Sequence, residues 1–335
     1  MRTLVLTVTL ATALATTLAA APATAGEADR RAGELASTGY VLGGTPAGIV
    51  ERDAHGLATL GVDGVAITPD GRDVELPNRQ LKRLLRTAHD NGLRAELLVH
   101  NINAEHGDFD PQAGAALLRH PKRIRAVAKS LASFVAADGW DGIHIDLESL
   151  SKPDGRGLVR LAEELQARMP ADKTVSIAMM ASTERREYRA RGYRLGPLND
   201  ALDTIALMTY DQHGPSWSGP GPIGALRWQR AALETLFQVV PPAKVDVGIA
   251  GYGYFWPRHR TGRALTLAQV RKRVAADGAT PRWRAAAGEW SAKLSDGTVL
   301  WWSDGDSYEL RLQLAEELGA HGLALWRLGS ADPLP

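Results

Sequence analysis

The stretch GWDGIHIDLESL, from Gly139 to Leu150, decides the fold because apolar and polar side chains alternate along it. The apolar members are Ile143, Ile145 and Leu147, and the polar members are His144, Asp146 and Glu148. Successive side chains of a β-strand point to opposite faces, so each set occupies one face. The pattern predicts a buried strand whose second face carries a histidine and two acids, which indicates a functional site.

Short apolar strands alternate with amphipathic helices along the rest of the chain. Apolar residues recur at helical spacing in segments 78–91, 123–138 and 155–169. Strands are predicted near Gly39–Gly43, Val62–Thr68, Arg94–Ile102, Gly142–Glu148, Thr174–Ala181, Thr204–Asp211, Lys244–Tyr252 and Gly322–Leu328. Strands separated by helices pair in parallel, and eight of them close into a (β/α)8 TIM barrel of the α/β class. A doubly wound open sheet is the competing layout, but GGTPAG at Gly43–Gly48 matches its glycine-rich turn only loosely.

One segment interrupts the alternation, from about Pro257 to about Gly305. Within it, GEWSAKLSDGTVLWWSD predicts a short hairpin that turns at Asp296 and Gly297. We expect a small insertion between the seventh strand and the last helix, packed beside the mouth of the barrel.

The N-terminal segment has the features of a secretory signal peptide. An apolar run from Leu4 to Leu18 follows Arg2, and Ala23-Thr24-Ala25 forms a small-residue cleavage pattern. We therefore expect residues 1–25 to be removed, residues 26–335 to form the catalytic domain, and the protein to be secreted or associated with a cell wall. No other stretch is apolar enough to span a bilayer.

The composition limits the classes of partner. The chain has 39 basic and 38 acidic residues, and this near-neutrality argues against nucleic acid or an anionic membrane as partner. It contains no cysteine, which excludes thiol nucleophiles and cysteine-ligated zinc. Its nine tryptophans exceed what a core of this size needs and are typical of sugar-binding clefts. A monomer is expected.

The two acids of the opening stretch have the spacing of a catalytic pair. In a barrel, His144, Asp146 and Glu148 would face the interior and rise toward the C-terminal mouth, where Glu148 is the most accessible. Acids two residues apart on a strand are roughly 6–7 Å apart at the backbone, so one of them holds a proton to higher pH. A protonated glutamic acid is the general acid that cleavage of a glycosidic bond requires.

The same spacing limits what the second acid can do. Asp146 lies on the same strand as Glu148 and cannot easily reach the opposite side of a sugar ring, so it supports and does not attack. The nucleophile comes from elsewhere, and the substrate's acetamido group is one candidate. A metal site at His144 and the two acids is an alternative. No other cluster of His and Asp residues clearly converges on these three. The one other such cluster in the sequence, HNINAEHGDFD at His100–Asp110, is more simply explained as a polar loop, so no metal or cofactor is expected.

Four motifs resemble those of glycoside hydrolase family 18, the chitinase and N-acetylglucosaminidase family. DGIHIDLE resembles the D-x-x-D-x-D-x-E signature at Asp141, Asp146 and Glu148, with His144 in place of the middle aspartate. ALMTYDQHGPSWSGPGPIGAL resembles the Met-x-Tyr-Asp strand, and its loop is similar to that of spore-cortex and peptidoglycan hydrolases. GIAGYGYFW and GLALWRLGSADP resemble the seventh and eighth strands. The resemblance covers essentially the whole chain after the signal segment.

This resemblance implies a retaining, substrate-assisted hydrolysis of β-linked N-acetylglucosamine polymers, chitin or peptidoglycan. It assigns the general acid to Glu148, orientation of the acetamido group to Asp146, contacts with that group to Tyr210 and Asp211, and the floor of the −1 sugar site to Trp326. Met208 is expected to line the pocket, and Asp141 to be structural. His144 is expected to hydrogen-bond Asp146 and, if protonated, to stabilise its anion. Asn101 and Asn103 are placed near sugar hydroxyls on position alone.

Two other functions compete with the hydrolase. A non-catalytic, lectin-like member of the same fold usually lacks the glutamate, and Glu148 is present. A zinc-dependent deacetylase needs an open metal triad, which the sequence does not provide.

Overall fold

The computed structural model describes residues 35–259 and 261–335, so the predicted signal segment 1–25 lies outside the described residues. The strands, in chain order, are β1 (Ala36–Leu42), β2 (Thr59–Ala66), β3 (Arg94–His100), β4 (Ile102–Asn103), β5 (Asp108–Phe109), β6 (Gly142–Asp146), β7 (Thr174–Met180), β8 (Thr204–Met208), β9 (Val245–Ala250), β10 (Gly253–Trp256), β11 (Arg263–Leu265), β12 (Arg282–Arg284), β13 (Glu289–Lys293), β14 (Val299–Trp302) and β15 (Gly322–Trp326). The helices are α1 (Ala47–Asp53), α2 (Arg79–Asp90), α3 (Pro111–Leu118), α4 (Pro121–Asp138), α5 (Gly155–Gln166), α6 (Arg185–Ala190), α7 (Leu195–Ala201), α8 (Leu226–Phe237), α9 (Leu267–Asp277) and α10 (Gly305–Leu318).

Eight parallel strands form a closed barrel, which confirms the predicted (β/α)8 architecture. Their order around the barrel is β1, β15, β9, β8, β7, β6, β3, β2, and β2 closes on β1. Strand β6 is the centre of the opening stretch and lies between β3 and β7. The carboxyl ends of all eight strands therefore meet at one mouth, where TIM-barrel enzymes place their active sites.

All eight barrel strands end one to three residues earlier than the sequence pattern predicts, and two of these ends matter for the mouth of the barrel. Strand β6 ends at Asp146 instead of Glu148, and β8 ends at Met208 instead of Asp211. The backbone turns sharply just beyond each end, because Ser149 and Asp211 have φ angles of 56° and 58°. Non-glycine residues seldom adopt this left-handed conformation, and they cluster at functional sites.

The helices begin and end where local chemistry satisfies their free backbone groups. The Asn78 side chain accepts hydrogen bonds from two backbone amides at the start of α2, and the Asp110 side chain does the same at α3. Helix α4 ends at Gly139 in the left-handed conformation, immediately before the opening stretch. This cap turns the chain directly into β6.

The main hydrophobic core lies between the barrel and its helices. Ile143, Ile145 and Leu147 belong to it, so the apolar face of β6 points outward, as the alternation predicts. The barrel interior contains a small separate cluster of Tyr40, Leu98, Ala206 and Ala324, with Trp326 packed against it. The small alanines leave room for the polar residues of the site.

The predicted insertion is larger than a hairpin and starts earlier. It contains a five-stranded sheet in the order β11, β10, β14, β13, β12 together with α9, and its first strand begins at Gly253 instead of near Pro257. The predicted hairpin is confirmed, since β13 and β14 pair antiparallel from Lys293 opposite Val299. Sequence alternation missed β10 because it continues the apolar run of β9 after a break of only two residues.

A buried ion pair attaches the insertion to the barrel. The Glu289 carboxylate accepts hydrogen bonds from the backbone amides of Ile223 and Gly224 at 2.8 and 2.7 Å. Arg311 of α10 lies 3.4 Å from the same carboxylate and donates to four backbone carbonyls. The insertion is therefore fixed against the loop that follows β8. None of the described helices is long and apolar enough to cross a membrane.

Candidate active site

A cavity of about 700 Å³ opens at the carboxyl ends of the barrel strands. Acidic and aromatic side chains line it, among them Asp63, Asp146, Glu148, Asp211, Trp217, Trp228 and Trp326. The β4–β5 hairpin adds Ile102, Asp108 and Phe109 to one wall. The cavity thus combines acids with flat apolar surfaces.

Asp146 lies deep in this cavity, at the last position of β6. Its side chain is buried, and in the described part of the chain its Oδ1 atom has no hydrogen-bond partner. Burial raises the pKa of Asp146 well above its usual range, and the charges of Glu148 and Asp63 raise it further. An unpartnered oxygen in a buried site is a ready acceptor for a substrate N–H group.

Glu148 lies just beyond the strand end and closer to solvent. Burial, followed by the negative charges of Asp211 and Asp108, raises the pKa of its carboxyl to about 7. The carboxyl therefore holds its proton near neutral pH, as a general acid must. The charge of Glu148 in turn raises the pKa of Asp146, two residues before it.

Asn101 has a different role from the predicted sugar contact. Its side chain is buried, and its amide nitrogen donates to the backbone carbonyls of Glu148 and Asp110 at 3.0 and 2.8 Å. Its oxygen accepts from the backbone amide of Glu148 at 2.9 Å. These bonds use the polar side-chain atoms, so Asn101 holds the backbone of the general-acid candidate in place.

His144 does not hydrogen-bond Asp146, the partner that the sequence predicts; its ring bonds Ser176 and Tyr40 instead. Its Nδ1 atom lies 2.8 Å from the Ser176 hydroxyl, and its Nε2 atom lies 3.3 Å from the Tyr40 hydroxyl. Ser176 gives its own hydrogen to Glu96 at 2.6 Å, so Nδ1 must donate to Ser176 and Nε2 must accept from Tyr40. Both ring nitrogens are occupied, and neither is available to Asp146.

The charge state of His144 follows from its burial. Desolvation lowers its pKa to about 3, so the imidazole is neutral across the physiological range. The condition under which His144 would stabilise the Asp146 anion, a protonated ring, is therefore not met. The Glu96 carboxylate lies 3.8 Å from Nδ1, but burial of the ring outweighs its charge. The ring lines the cavity as a fixed neutral group.

Tyr210 and Asp211 line the same cavity from the segment after β8, two strands from β6 in the barrel. Asp211 accepts hydrogen bonds from the hydroxyls of Tyr252 and Tyr254, the second at 2.8 Å. Burial raises the pKa of Asp211, while these two bonds lower it. Burial raises the pKa of Tyr210 well above its usual range, so its hydroxyl remains a donor.

The apolar part of the cavity consists of aromatic rings and a methionine. Trp326 ends β15 beside Tyr40, with ring centres 5.9 Å apart, and Met208 ends β8. Trp217 is 55% exposed and packs its edge against Tyr254 at 6.0 Å. A large exposed indole at the rim of a cavity is a surface on which a sugar ring can stack.

Two other predicted residues lie away from the cavity. The side chain of Asn103, in β4, accepts from the backbone amide of Glu105 at 2.8 Å. Asp141 precedes β6 at the opposite end of the barrel, where it binds His89, Lys173 and the amide of Ala95. That position agrees with the structural role assigned to Asp141.

Several cavity residues were not identified from the sequence. Asp63 and Asp108 are single acids in otherwise unremarkable segments, and no local pattern marks them. Trp217 of the cavity, and Tyr252 and Tyr254, which bind the cavity residue Asp211, carried a signal, since aromatic residues near strand ends of a barrel point to its mouth. No group of His, Asp or Glu side chains within residues 35–259 and 261–335 has an arrangement that could hold a metal ion.

A model of the glycosyl hydrolases family 18 matches residues 107–331. An uncharacterized glycosylase of Bacillus subtilis, YvbX, is 21% identical over 285 residues, which cover 82% of this chain and 81% of that protein. The cortical fragment-lytic enzyme of Bacillus anthracis is 24% identical over 263 residues and 71% of this chain, but this covers only 57% of that protein. A solved structure of a chitinase from Chromobacterium violaceum has a TM-score of 0.80 at 24% identity, covering 89% of this chain and 95% of that one.

Proposed function

The chain belongs to the glycosyl hydrolases family 18, and we propose that it is a secreted enzyme that cleaves β-linked N-acetylglucosamine polysaccharides with the substrate's own acetamido group as nucleophile. The observation that carries this proposal is the placement of Asp146 and Glu148. Both carboxyls reach one cavity from one strand end, and the pKa values of both are raised.

Glu148 starts the reaction as general acid. Its proton passes to the glycosidic oxygen while the bond from that oxygen to C1 of the −1 sugar breaks. The carbonyl oxygen of the 2-acetamido group forms a new bond to C1 from the opposite face, which gives a cyclic oxazolinium ion. Water then attacks C1, the Glu148 carboxylate takes its proton, and the ring opens to restore the acetamido group.

Asp146 stabilises the positive intermediate. Its unpartnered Oδ1 accepts the acetamido N–H, which turns the carbonyl oxygen toward C1. An anionic Asp146 lowers the energy of the oxazolinium ion most strongly in a buried site, where water does not screen the charge. Because Glu148 and Asp146 repel each other's charge, the working state of the pair carries one proton.

Tyr210 and Asp211 complete the site for the acetamido group. The Tyr210 hydroxyl is a donor for the acetamido oxygen, and Tyr252 and Tyr254 hold Asp211 from behind. Trp326 forms the floor under the −1 sugar, and Trp217 offers a stacking surface at the rim. The aromatic rings contribute affinity and orientation, while the acids carry out the chemistry.

The anomer first released from a chitin oligosaccharide tests the mechanism. Two inversions at C1 leave a β product, and proton NMR distinguishes it from the α form before mutarotation. Fully deacetylated chitosan should be inert, and a thiazoline analogue of the intermediate should bind more tightly than substrate. Initial release of the α anomer would mean that water attacks directly, and the roles of Asp146 and Tyr210 would be withdrawn.

The polymer is either chitin or peptidoglycan, and mass spectrometry of the products from each distinguishes them. A cortical fragment-lytic enzyme and a chitinase are both similar to this chain, and the loop after Tyr210 favours bacterial cell wall. A lectin-like binder of the same fold is the alternative function. It would bind the same sugars and release no product from either polymer.

A further inference from the structure

A second buried acid faces the catalytic pair from another strand. Asp63 lies in β2 and pairs with Leu98 of β3, a residue of the barrel interior. On the other side of β3, His100 pairs with Asp146 of β6. Asp63 and Asp146 thus flank the same strand and both line the cavity. Two strand spacings and an offset of two residues along β3 place their backbones roughly 12 Å apart, and both side chains reach the same cavity.

Asp63 resembles Asp146 in its incomplete hydrogen bonding. Its side chain is only 12% exposed, and its Oδ1 atom has no hydrogen-bond partner among the described residues. His100 is the histidine beside it, with Nε2 3.5 Å from that oxygen, which is too far for a good hydrogen bond, and burial lowers the pKa of this ring. A buried acid held this loosely interacts with its neighbours mainly through its charge.

The neighbours of the two acids differ in a way that orders their ionisation. Burial raises the pKa of Asp63 above its usual range, and His100 and Arg327 offset part of that rise. Burial raises the pKa of Asp146 well above its usual range, and the charges of Glu148 and Asp63 raise it further with no such offset. Asp63 therefore ionises first, and its charge then opposes ionisation of Asp146.

His144 cannot supply this charge, although it is two residues before Asp146 on the same strand. Its ring is neutral and is held between Ser176 and Tyr40. We propose that Asp63, with His100 beside it, is a positioning residue that sets the charge of Asp146 across the barrel in the reaction proposed above, on which this role depends. The acid that acts on Asp146 thus lies on β2, whereas the signature that DGIHIDLE resembles has an aspartate on β6, at the position that His144 occupies here.

Other titratable groups face the two acids and must be kept constant in any test. Those around Asp146 are His144 and Glu148 on β6, Tyr40 on β1, and Tyr193, Tyr210 and Asp211 on the loops beyond β7 and β8. Those around Asp63 are His100 on β3 and Arg327 after β15. A change at Asp63 alone leaves all of them in place.

The direct test is the titration of Asp146 itself, by NMR of protein labelled with ¹³C at the aspartate carboxyl and free of ligand. The Asp146 signal is identified by its loss in Asp146→Asn. In Asp63→Asn, the midpoint of that signal should fall by about one pH unit, the shift expected from a unit charge at this separation in a partly buried site. Asp63→Ser provides a second neutral variant if the amide disturbs folding.

Asp246→Asn is the matched control. Asp246 is also a buried acid of the barrel interior beside a histidine, with Oδ1 2.7 Å from His321 Nδ1, but it lines a separate cavity. Its removal should leave the Asp146 midpoint unchanged. In the double variant Asp63→Asn with His144→Asp, a carboxyl returns to β6 beside Asp146, and the midpoint should rise again.

The pH profile of kcat/KM on a chitin oligosaccharide extends the test to the reaction. The acid limb of Asp63→Asn should move to lower pH in the same direction as the NMR midpoint, because Asp146 ionises more easily. An unmoved midpoint in both neutral variants, or an equal shift in Asp246→Asn, overturns the role of Asp63 whatever the activity. A wild-type protein that cleaves no N-acetylglucosamine polymer overturns the proposed function alone, since the NMR titration needs no turnover.

Discussion

Replacement of Glu148 by glutamine should remove the general acid and keep the shape of the side chain. The amide has no acidic proton to give to the leaving oxygen, whereas the backbone of residue 148 remains fixed by Asn101. General acid catalysis contributes on the order of 10²–10⁴ in rate, so kcat should fall by about that factor, or about 3–5 kcal/mol in barrier. KM should change little, because the aromatic surfaces that bind sugar are unaffected.

The raised pKa of Glu148 makes this loss depend on pH. With a pKa of about 7, roughly 90% of the wild-type carboxyl is protonated one unit below that value and roughly 10% one unit above it. Wild-type activity should therefore decline about tenfold per unit above neutral pH. Glu148→Gln has no such proton to lose, so its residual rate should stay nearly flat there. The ratio of wild type to variant should shrink as pH rises.

The assay is release of reducing ends from a chitin oligosaccharide, measured for both proteins at intervals across the neutral and alkaline range. Glu163→Gln is the matched control, since this exposed glutamate lies on the outer helix α5 and should behave as wild type. A ratio that is the same at every pH would show that the proton of Glu148 is not the one used. Wild-type turnover in Glu148→Gln would refute the assignment outright.

Asp146→Asn should lower kcat strongly and change the pH profile, because Glu148 then titrates without its charged neighbour; an unaltered profile would mean that the two acids do not interact. Trp217→Ala should raise KM for longer oligosaccharides with little change in kcat, since its exposed ring offers binding surface away from the acids; equal KM values for wild type and variant would exclude a sugar contact. Arg311→Met should destabilise the fold by about 3–5 kcal/mol in urea unfolding, because Glu289 is left buried without its partner, and a loss below about 1 kcal/mol would contradict this. Treatment with EDTA should leave activity intact, since the proposed chemistry needs no Lewis acid; loss that zinc restores would favour a deacetylase.

The sequence was sufficient for the architecture and for the identity of the acid pair. Alternation along residues 142–148 placed the isoleucines outward and the acids inward, and the structure has them there. Both inferences depend only on the backbone geometry of a strand, whose period of two is independent of the rest of the fold. Helix ends at Asn78, Asp110 and Gly139 are local for the same reason.

Tertiary structure alone decided what surrounds those acids. Asn101 and Glu148 are 47 positions apart, and no spacing rule predicts that one holds the backbone of the other. His144 could be protonated or neutral in the sequence, and only its complete burial between Ser176 and Tyr40 makes it neutral. The apposition of Asp63 and Asp146 likewise arises because the barrel places β2 and β6 on either side of β3. Side-chain periodicity is a property of neighbouring residues, whereas desolvation and charge interactions sum over atoms that only the closed barrel brings together.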